Sequence, residues 1–160
     1  MLNGISPRPM TLDDLNAVSE LEKRSQVAPW TRDHFVSELQ KDHSEIWIVT
    51  DDATDERLYG YIVFSKVLDA WQILNLAVDS SVHRHGVGQA LLEKVKNQAI
   101  RNHVRLLVLE VRKSNTPAVQ LYQKVGFRIV RTHPNYYSNG EGAYMMEVVL
   151  SEEPPVTGAI

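Results

Sequence analysis

Two glycines stand where an apolar stretch meets a helical pattern, and their spacing could serve to bind an anion. The residues from Asn75 to Asp79 are mostly apolar, and a short polar segment leads from them to Gly86 and Gly88. The first N–H groups of a helix have no intrahelical partner and carry the positive end of its dipole. Because glycine has no Cβ, the backbone at Gly86 and Gly88 can approach a bulky phosphate. The spacing alone fits an anion site and a plain turn equally well.

The glycine spacing excludes two common phosphate-binding motifs. No Gly-Lys-Ser or Gly-Lys-Thr sequence follows Gly88, so the segment is not a P-loop. The pair Gly86 and Gly88 also lacks the third glycine of a dinucleotide fingerprint. An anion site at this position would therefore be neither a P-loop nor a dinucleotide-binding loop.

The apolar pattern predicts the elements that position this segment. Ala70 to Val78 is typical of a strand, and Arg105 to Val111 is typical of a central strand because it is apolar on both faces. Together with the helix between them, they predict a right-handed parallel crossover over 71–111. A last helix is predicted from Thr116 to a glycine cap at Gly126. The crossover helix is marked by apolar residues at steps of four: Val87, Leu91, Val95 and Ala99.

Two more helices are predicted near the N-terminus from their capping residues. Thr11 is the expected cap of the first, with Asp14 reaching back as in a capping box, and this helix should end at about Arg24. Thr31 is the expected cap of the second, which should end at about Gln40. The acidic residues of these two helices are interpreted as solvated faces: Glu20, Glu22, Asp33 and Glu38.

Five further stretches are predicted to form strands. An edge strand interrupted by proline is expected within 4–10, and 46–49 should pair with 58–64 across a polar segment. The closing strands are expected at 128–132 and 143–150, joined through Asn139 and Gly140. The ten residues from Ser151 have no periodicity and are expected to be a flexible tail after a single domain of residues 1–150.

The composition limits the classes of function. With 160 residues, 43% of them hydrophobic, and a formal charge of −3, the chain is an ordinary single-domain globular protein and not a basic nucleic-acid binder. It has no cysteine, which excludes disulfides, thiolate metal sites and a cysteine nucleophile. No stretch approaches the roughly 20 apolar residues that span a bilayer. We therefore expect a cytoplasmic protein, without membrane or direct nucleic-acid binding.

Two motifs resemble those of the GNAT superfamily of N-acetyltransferases. Val-Asp, a few residues, then Arg-x-Gly-x-Gly-x-Ala-Leu-Leu resembles the acetyl-CoA loop of that family, with a departure at His83, where the family has Gln or Arg. The stretch from Leu109 to Asn115 and the sequence Leu121-Tyr-x-x-x-Gly-Phe127 resemble the following strand and helix. The order and separation of the two motifs also match. The resemblance covers about residues 10–150.

This resemblance implies a fold and a co-substrate. The fold is α+β (mixed α/β), with a mostly antiparallel twisted sheet of about seven strands flanked by about four helices. The co-substrate is acetyl-CoA, and no metal is implied. The residues matched to the acetyl-CoA site are Leu76, Ala77, Val78, Arg84, His85, Gly86, Val87, Gly88, Gln89 and Asn115.

The resemblance also assigns two catalytic side chains. Glu110 ends a strand beside the cofactor strand and would take the proton of the attacking amine, directly or through a water. The alternative is a surface ion pair of Glu110 with Arg112 or Lys113. Tyr122 is a phenol that stays protonated at neutral pH and would donate to the departing thiolate, unless it is a core tyrosine. The N–H groups of Leu76 or Val78 would stabilise the oxyanion.

Other candidate residues keep two interpretations each. Asn115 is a pantetheine or phosphate contact, a helix cap, or both, and Arg84 and His85 contact phosphate or belong to a solvated loop. His83 and His85 have the spacing of metal ligands but lack a third partner. The tyrosines that follow Asn135 at the next two positions line a peptide entrance or form an ordinary aromatic pair.

The substrate is inferred from a closer resemblance within the superfamily. Asn-Leu-Ala-Val-Asp, Leu-Glu-Val-Arg-x-Ser-Asn and Asn135-Tyr-Tyr resemble the RimI-type branch, which acetylates the N-terminal alanine of a small-subunit ribosomal protein. A slightly acidic enzyme would also suit a basic ribosomal partner. The alternatives are a GNAT enzyme acting on a polyamine-like amine or a protein lysine, and a non-catalytic acetyl-CoA-binding subunit. We expect a monomer or weak dimer.

Overall fold

The helices and strands of the described residues match the predicted number and order. The computed structural model describes residues 5–51 and 57–151. Two short 3-10 turns, Leu12–Asp14 and Ser80–Val82, accompany the main elements. In chain order these are β1 Arg8–Pro9, α1 Leu15–Ser25, α2 Arg32–Leu39, β2 Ser44–Thr50, β3 Leu58–Ser65, β4 Ala70–Val78, α3 Val87–Arg101, β5 Leu106–Arg112, α4 Thr116–Val125, β6 Arg128–His133 and β7 Ala143–Val149.

The strands form one sheet in the order β1-β2-β3-β4-β5-β7-β6. The pairs β1–β2, β2–β3, β5–β7 and β6–β7 are antiparallel. Strands β4 and β5 are parallel, with Ala70 opposite Leu106 and Gln72 opposite Val108. The mixed α/β fold, the mostly antiparallel sheet and the parallel crossover are therefore confirmed. The central position predicted for β5 is also confirmed, because β5 lies between β4 and β7.

The chain divides into two compact units that share β4. The first contains the described residues up to Ser65 together with Leu74–Lys94, and the second contains Lys66–Ile73 and the described residues from Val95 onward. The single domain predicted over 1–150 stays a prediction. The predicted tail lies outside the described residues from 152 onward, as do residues 52–56 of the polar segment before β3.

The core of the first unit combines the apolar faces of α1 and α2 with β2 and β3. Burying each large apolar side chain contributes about 1.5–3 kcal/mol to folding. The buried cluster consists of Met10, Leu15, Val18, Leu21, Phe35, Ile46, Ile48, Leu58, Tyr61, Val63 and Ala77. Helix α1 contributes Leu15, Val18 and Leu21 to this cluster, and α2 contributes Phe35.

In the second unit, burial follows the alternation of β5. Leu107, Leu109 and Val111 are buried, and the residues between them are half-buried. Other buried residues of this unit are Val95, Ala99, Val104, Tyr122, Val125, Phe127, Ala143, Met146 and Val148.

The capping predictions are confirmed with one difference in position. The N–H of Thr11 donates to the Asp14 carboxylate at 2.8 Å, but the capped turn is a separate 3-10 turn and α1 begins only at Leu15. The Asp14 carboxylate also binds the Arg8 guanidinium at 2.9 Å. Thr31 caps α2 as predicted, since its hydroxyl accepts from the His34 N–H at 3.1 Å. These caps satisfy N–H groups that a helix leaves without partners.

The interpretation of the acidic helix residues as solvated is correct for two and wrong for two. Glu20 and Asp33 are exposed, whereas Glu22 and Glu38 are only 1% and 4% exposed. Both buried carboxylates have several hydrogen-bond donors, which is the condition for burying a charge without a large penalty.

Candidate active site

A short segment between β4 and α3 is held in place by Asp79. Its carboxylate accepts the Ser81 N–H at 2.9 Å and the Arg24 guanidinium at 3.1 Å. The Ser81 N–H is the main cause that keeps the pKa of Asp79 below its ordinary value. Asp79 therefore stays ionised and fixes the start of the segment that contains the two glycines.

The start of α3 leaves three backbone N–H groups ahead of its first intrahelical hydrogen bond. That bond runs from the Ala90 N–H to the Gly86 carbonyl at 3.0 Å. Gly86 has a φ of +85°, in the left-handed region that favours glycine, and it has no side chain that could cap the helix. The N–H groups of Val87, Gly88 and Gln89 thus form the positive end of the helix dipole.

Gly60 of β3 allows this helix to begin close to the sheet. A Cβ at Gly60 would lie 2.9 Å from the Ala77 carbonyl oxygen and 3.0 Å from Cγ1 of Val87. Both distances are too short for ordinary contact, so a side chain here would displace β4 or α3. The missing side chain brings the end of β4 and the first residue of α3 together.

Two carbonyls of β4 already have side-chain partners. Nε2 of Gln26 donates to the Leu76 carbonyl at 3.1 Å, and Nε2 of His83 lies 2.9 Å from the Val78 carbonyl oxygen. The Asp79 N–H donates to the backbone carbonyl of Tyr59 in β3 at 2.8 Å. Neighbouring peptide groups of a strand point to opposite edges, so the Val78 N–H points away from β3. This orientation suits the oxyanion role, which stays a prediction.

The remaining residues predicted to bind the cofactor differ in exposure. Arg84 and His85 are exposed, and Arg84 has a positive φ of 69°. Ala77, Val87 and Gly88 are buried, whereas Gln89 is half-buried. Of the residues predicted to bind the cofactor, all except Asn115 lie in the first unit.

Glu110, in the second unit, lies opposite Met145 of β7 and is half-buried. Its carboxylate accepts a hydrogen bond from the Tyr136 hydroxyl. This hydrogen bond is the main reason that the pKa of Tyr136 rises to about 12. Tyr136 therefore remains a donor at any physiological pH and orients one oxygen of Glu110.

The surface ion pair suggested as an alternative for Glu110 is made by a different residue. Arg112 donates to Glu141 at 3.2 Å, and its guanidinium carbon lies 3.8 Å from the centre of the Tyr137 ring. The Glu141 carboxylate also accepts the Ser114 N–H at 2.9 Å. These contacts hold the segment between β6 and β7 that contains Tyr136 and Tyr137.

Tyr122 lies on α4 and is 7% exposed. Its ring packs edge-on against Phe127, with centroids 5.8 Å apart, and no partner for its hydroxyl is found in residues 5–51 and 57–151. Burial raises the pKa of Tyr122 well above the ordinary value of 10. The side chain is thus a core tyrosine that also keeps a proton available for donation.

Asn115 is the cap of α4. Its side-chain oxygen accepts the Ala118 N–H at 3.3 Å, and Pro117 follows in the first turn. The helix ends at Gly126, whose φ is +111°, as predicted. The capping interpretation of Asn115 is confirmed, and the cofactor role stays a prediction.

Sequence reasoning missed three contacts of these candidates. It considered Tyr136 for the peptide entrance but not as a partner of Glu110, which is 26 positions away. It also missed the contacts of Gln26 and His83 with β4. The contacts of Gln26 and Tyr136 depend on tertiary packing, whereas His83 lies only five positions from Val78.

Clusters of metal ligands and membrane-spanning helices are absent from the part of the chain that the structure describes. The described ranges contain no group of three or more potential metal ligands. A membrane-crossing helix would need more length and apolarity than any helix in residues 5–51 and 57–151 has.

Comparison with known proteins identifies a family and several relatives. Residues 15–127 match the Acetyltransferase (GNAT) family. A Bacillus subtilis protein, provisionally named a [ribosomal protein bS18]-alanine N-acetyltransferase, is 36% identical over 146 residues, which is 91% of this chain and 95% of that protein. The Escherichia coli K12 [ribosomal protein bS18]-alanine N-acetyltransferase is 32% identical over 141 residues, covering 88% and 91% of the two chains.

A solved structure agrees with these sequence relatives. The crystal structure of the ribosomal-protein-S18-alanine N-acetyltransferase from Escherichia coli superposes with a TM-score of 0.83. It is 29% identical in sequence, and the match covers 96% of this chain and 98% of that chain. Sequence and fold therefore point to the same group of enzymes.

Proposed function

Because the chain belongs to the GNAT family of acetyltransferases, we propose that it acetylates the N-terminal alanine of a ribosomal protein, bS18 or its counterpart. The acetyl donor is acetyl-CoA, as in the rest of the family. The substrate assignment is supported by the two relatives, which carry that activity in their names and match nearly the whole chain.

The observation that carries the proposal is the start of α3. Three N–H groups precede the first intrahelical bond, and Gly86 can cover none of them. A pyrophosphate supplies the negative charge that such a helix end binds. Arg84 and His85 are exposed in the same segment and would add side-chain contacts to phosphate.

Glu110 is the proposed base. An α-amine has a pKa of about 7.7–8.0, so a carboxylate that takes one proton is sufficient near neutral pH. The neutral amine nitrogen attacks the thioester carbon, the C–N bond forms as Glu110 takes one amine proton, and the C–S bond breaks to release the thiolate of CoA. Tyr136 supports this role because its hydrogen bond holds one oxygen of Glu110.

Tyr122 is the proposed donor to the departing sulfur. A thiol has a pKa of about 8.5, so full proton transfer from a phenol of higher pKa is uphill. Burial raises the pKa of Tyr122 further. Its role is therefore to stabilise the thiolate by a hydrogen bond rather than to transfer the proton completely.

The amine attacks the thioester directly in a ternary complex. The chain has no cysteine to form a thioester intermediate of its own. The N–H groups of Leu76 or Val78 would stabilise the oxyanion that this attack creates.

A mass-spectrometric acetylation assay tests the proposal. Purified protein and acetyl-CoA are incubated with a basic peptide that starts with alanine, the same peptide with a blocked α-amine, a peptide with an internal lysine, and a polyamine. We expect acetylation of the free alanine N-terminus alone. Transfer only to the lysine or the polyamine would contradict the substrate, and binding of acetyl-CoA without any transfer would indicate a non-catalytic subunit.

A further inference from the structure

The buried carboxylate of Glu22 has four hydrogen bonds from neutral groups in the first unit. Asn75 Nδ2 donates to its two oxygens at 2.9 and 3.0 Å, and the Trp30 N–H donates at 2.8 Å. The fourth hydrogen bond comes from the Tyr61 hydroxyl. Burial and the charge of Glu22 raise the pKa of Tyr61 well above its ordinary value. Glu22 thus joins α1, the turn before α2, β3 and β4.

The charge of Glu22 determines the orientation of two amides. An ionised carboxylate only accepts hydrogen bonds, so the NH₂ group of Asn75 must face it and the Asn75 oxygen must face the other way. That oxygen accepts Nε2 of Gln26 at 3.0 Å. The same Gln26 nitrogen donates to the Leu76 carbonyl at 3.1 Å. A chain of hydrogen bonds therefore connects Leu76 to Glu22 through Gln26 and Asn75, with Gln26 as the donor in both of its bonds.

The position of Leu76 connects this chain to the reaction. Leu76 lies on β4, in the segment whose backbone is expected to contact the thioester, and Gln26 begins the turn between α1 and α2. Errors of about 1 Å in the placement of reacting groups can reduce a rate roughly a hundredfold. A fixed Leu76 peptide group would therefore raise the rate of transfer.

We propose that Glu22 is a positioning residue for acetyl transfer, acting through Asn75 and Gln26 on the backbone of Leu76. This inference rests on the proposed function, in which Leu76 contacts the acetyl donor. Glu22 itself touches neither substrate; it orients the two amides that hold the β4 peptide group.

Glu22→Gln tests the direction of the hydrogen bonds while keeping the size of the side chain. The Trp30 N–H can only donate, so the new amide oxygen must face it, and the new NH₂ group must face the Tyr61 hydroxyl, which can also accept. The NH₂ group of Asn75 then keeps its bond to the new oxygen but meets a donor at the other position, so the side chain of Asn75 is held less firmly. Gln26 shifts with it, and the hydrogen bond to the Leu76 carbonyl weakens.

Glu38→Gln is the matched control. Glu38 is also buried in the first unit, where its carboxylate accepts from Lys41 at 2.7 Å and from Ser44 at 2.8 Å. Its hydrogen bonds join the end of α2 to β2 and reach neither Gln26 nor Leu76. Loss of stability alone would therefore affect both variants, whereas loss of positioning would affect only Glu22→Gln.

The first measurement is the NMR spectrum of side-chain amides. In Glu22→Gln we expect the Asn75 and Gln26 NH₂ signals to move, with those of Gln26 shifting toward the positions of an unbonded glutamine, and we expect no such change in Glu38→Gln. This readout does not depend on activity. Unchanged Asn75 and Gln26 signals in Glu22→Gln would overturn the proposed chain of hydrogen bonds.

The second measurement is steady-state kinetics with whichever acceptor the wild-type protein acetylates. We expect kcat to fall about tenfold in Glu22→Gln and in Gln26→Met, with the acetyl-CoA dissociation constant within about threefold of wild type. The double variant should be no slower than Gln26→Met alone, because both changes act through one chain of bonds.

The kinetic outcomes separate the inference from the proposed function. An equal fall in kcat for Glu38→Gln, or an unchanged kcat in Gln26→Met, would show that Glu22 is structural only. Failure to acetylate the alanine peptide would contradict the proposed substrate but leave this test intact, because another acceptor then serves in the assay.

Discussion

Helices α3 and α4 both follow a strand of the sheet, but they begin in different ways. At α4, Asn115 accepts the Ala118 N–H and Pro117 has no N–H to offer. At α3, Gly86 has no side chain, and the N–H groups of the next three residues precede the first intrahelical bond. The start of α4 is capped by its own side chain, whereas Gly86 offers the start of α3 no side-chain cap.

The difference shows how a helix end becomes an anion site. All helices have a positive N-terminal end, so the dipole alone does not select one. Selection comes from the capping residue, because a side-chain acceptor uses the donors that a phosphate would need. The comparison therefore supports the proposed binding of phosphate at the start of α3.

Gly88→Trp should have the largest effect, on the affinity for acetyl-CoA, and it tests whether the start of α3 binds phosphate. The indole would fill the space beside the first N–H groups of α3, so we expect the acetyl-CoA dissociation constant to rise at least about a hundredfold. Isothermal titration calorimetry measures the affinity, and circular dichroism checks that the variant is folded.

Thr116→Trp is the matched change in the first turn of α4, where Thr116 is exposed. We expect it to leave the affinity within about threefold of wild type. Equal losses in the two variants would show that the starts of α3 and α4 do not differ in phosphate binding.

Glu110→Gln should separate binding from chemistry. We expect kcat/KM to fall by about a hundredfold at pH 6, where most of the amine is protonated and needs a base. The defect should shrink above the amine pKa of about 7.7–8.0. A pH series of initial rates measures this change, and a large loss of acetyl-CoA affinity would instead make Glu110 a structural residue.

Asn115→Ala should have a moderate effect on stability, and it tests the role of Asn115 as the cap of α4. Loss of a cap costs about 1 kcal/mol, which lowers the melting temperature of a chain of this length by roughly 2–4 °C. Asn115→Asp should restore stability because aspartate also caps a helix. If Asn115 also contacts phosphate, the aspartate variant will bind acetyl-CoA more weakly than the alanine variant, which calorimetry can measure.

Asp79→Asn should have the smallest effect, which depends on pH. The pKa of Asp79 is held below its ordinary value of 3.8, first by the Ser81 N–H. Its charge therefore stabilises the fold above that value, and this contribution is lost as the pH falls through the lowered pKa.

The difference in melting temperature between wild type and Asp79→Asn measures this contribution. We expect a deficit of about 1 kcal/mol or less for the variant at pH 7, closing as the pH falls through the lowered pKa of Asp79. A deficit that stays constant with pH would mean that the charge of Asp79 does not hold the segment before α3.

Local features of the structure were predictable because their causes lie within a few residues. Thr31, Asn115 and Gly126 act on backbone groups three or four positions away, and the sequence identifies all three. The 3-10 turn before α1 was not predicted. Its capping residues were recognised, but the Arg8 contact that also holds Asp14 was not.

The candidate site was predictable only where one motif contains its parts. The residues from Gly86 to Gln89 are consecutive, so a single motif indicated the start of α3. The contact of Glu110 with Tyr136 joins residues that are far apart in the chain and depends on the turn between β6 and β7. A pattern of residue types cannot give this contact, because many tyrosines would fit it equally well.

The sequence by itself indicated most helices and strands and the glycine spacing before α3, because periodicity, helix caps and turn residues act locally. The fold class and the family followed from the resemblance of two motifs to the GNAT superfamily. Only the tertiary structure decided which charged residues are buried. Glu22 resembles an ordinary surface residue of α1, yet it is 1% exposed and bound by Asn75, Trp30 and Tyr61. Burial of a charge is stable only when donors from distant parts of the chain meet it, and that meeting is a property of the folded protein.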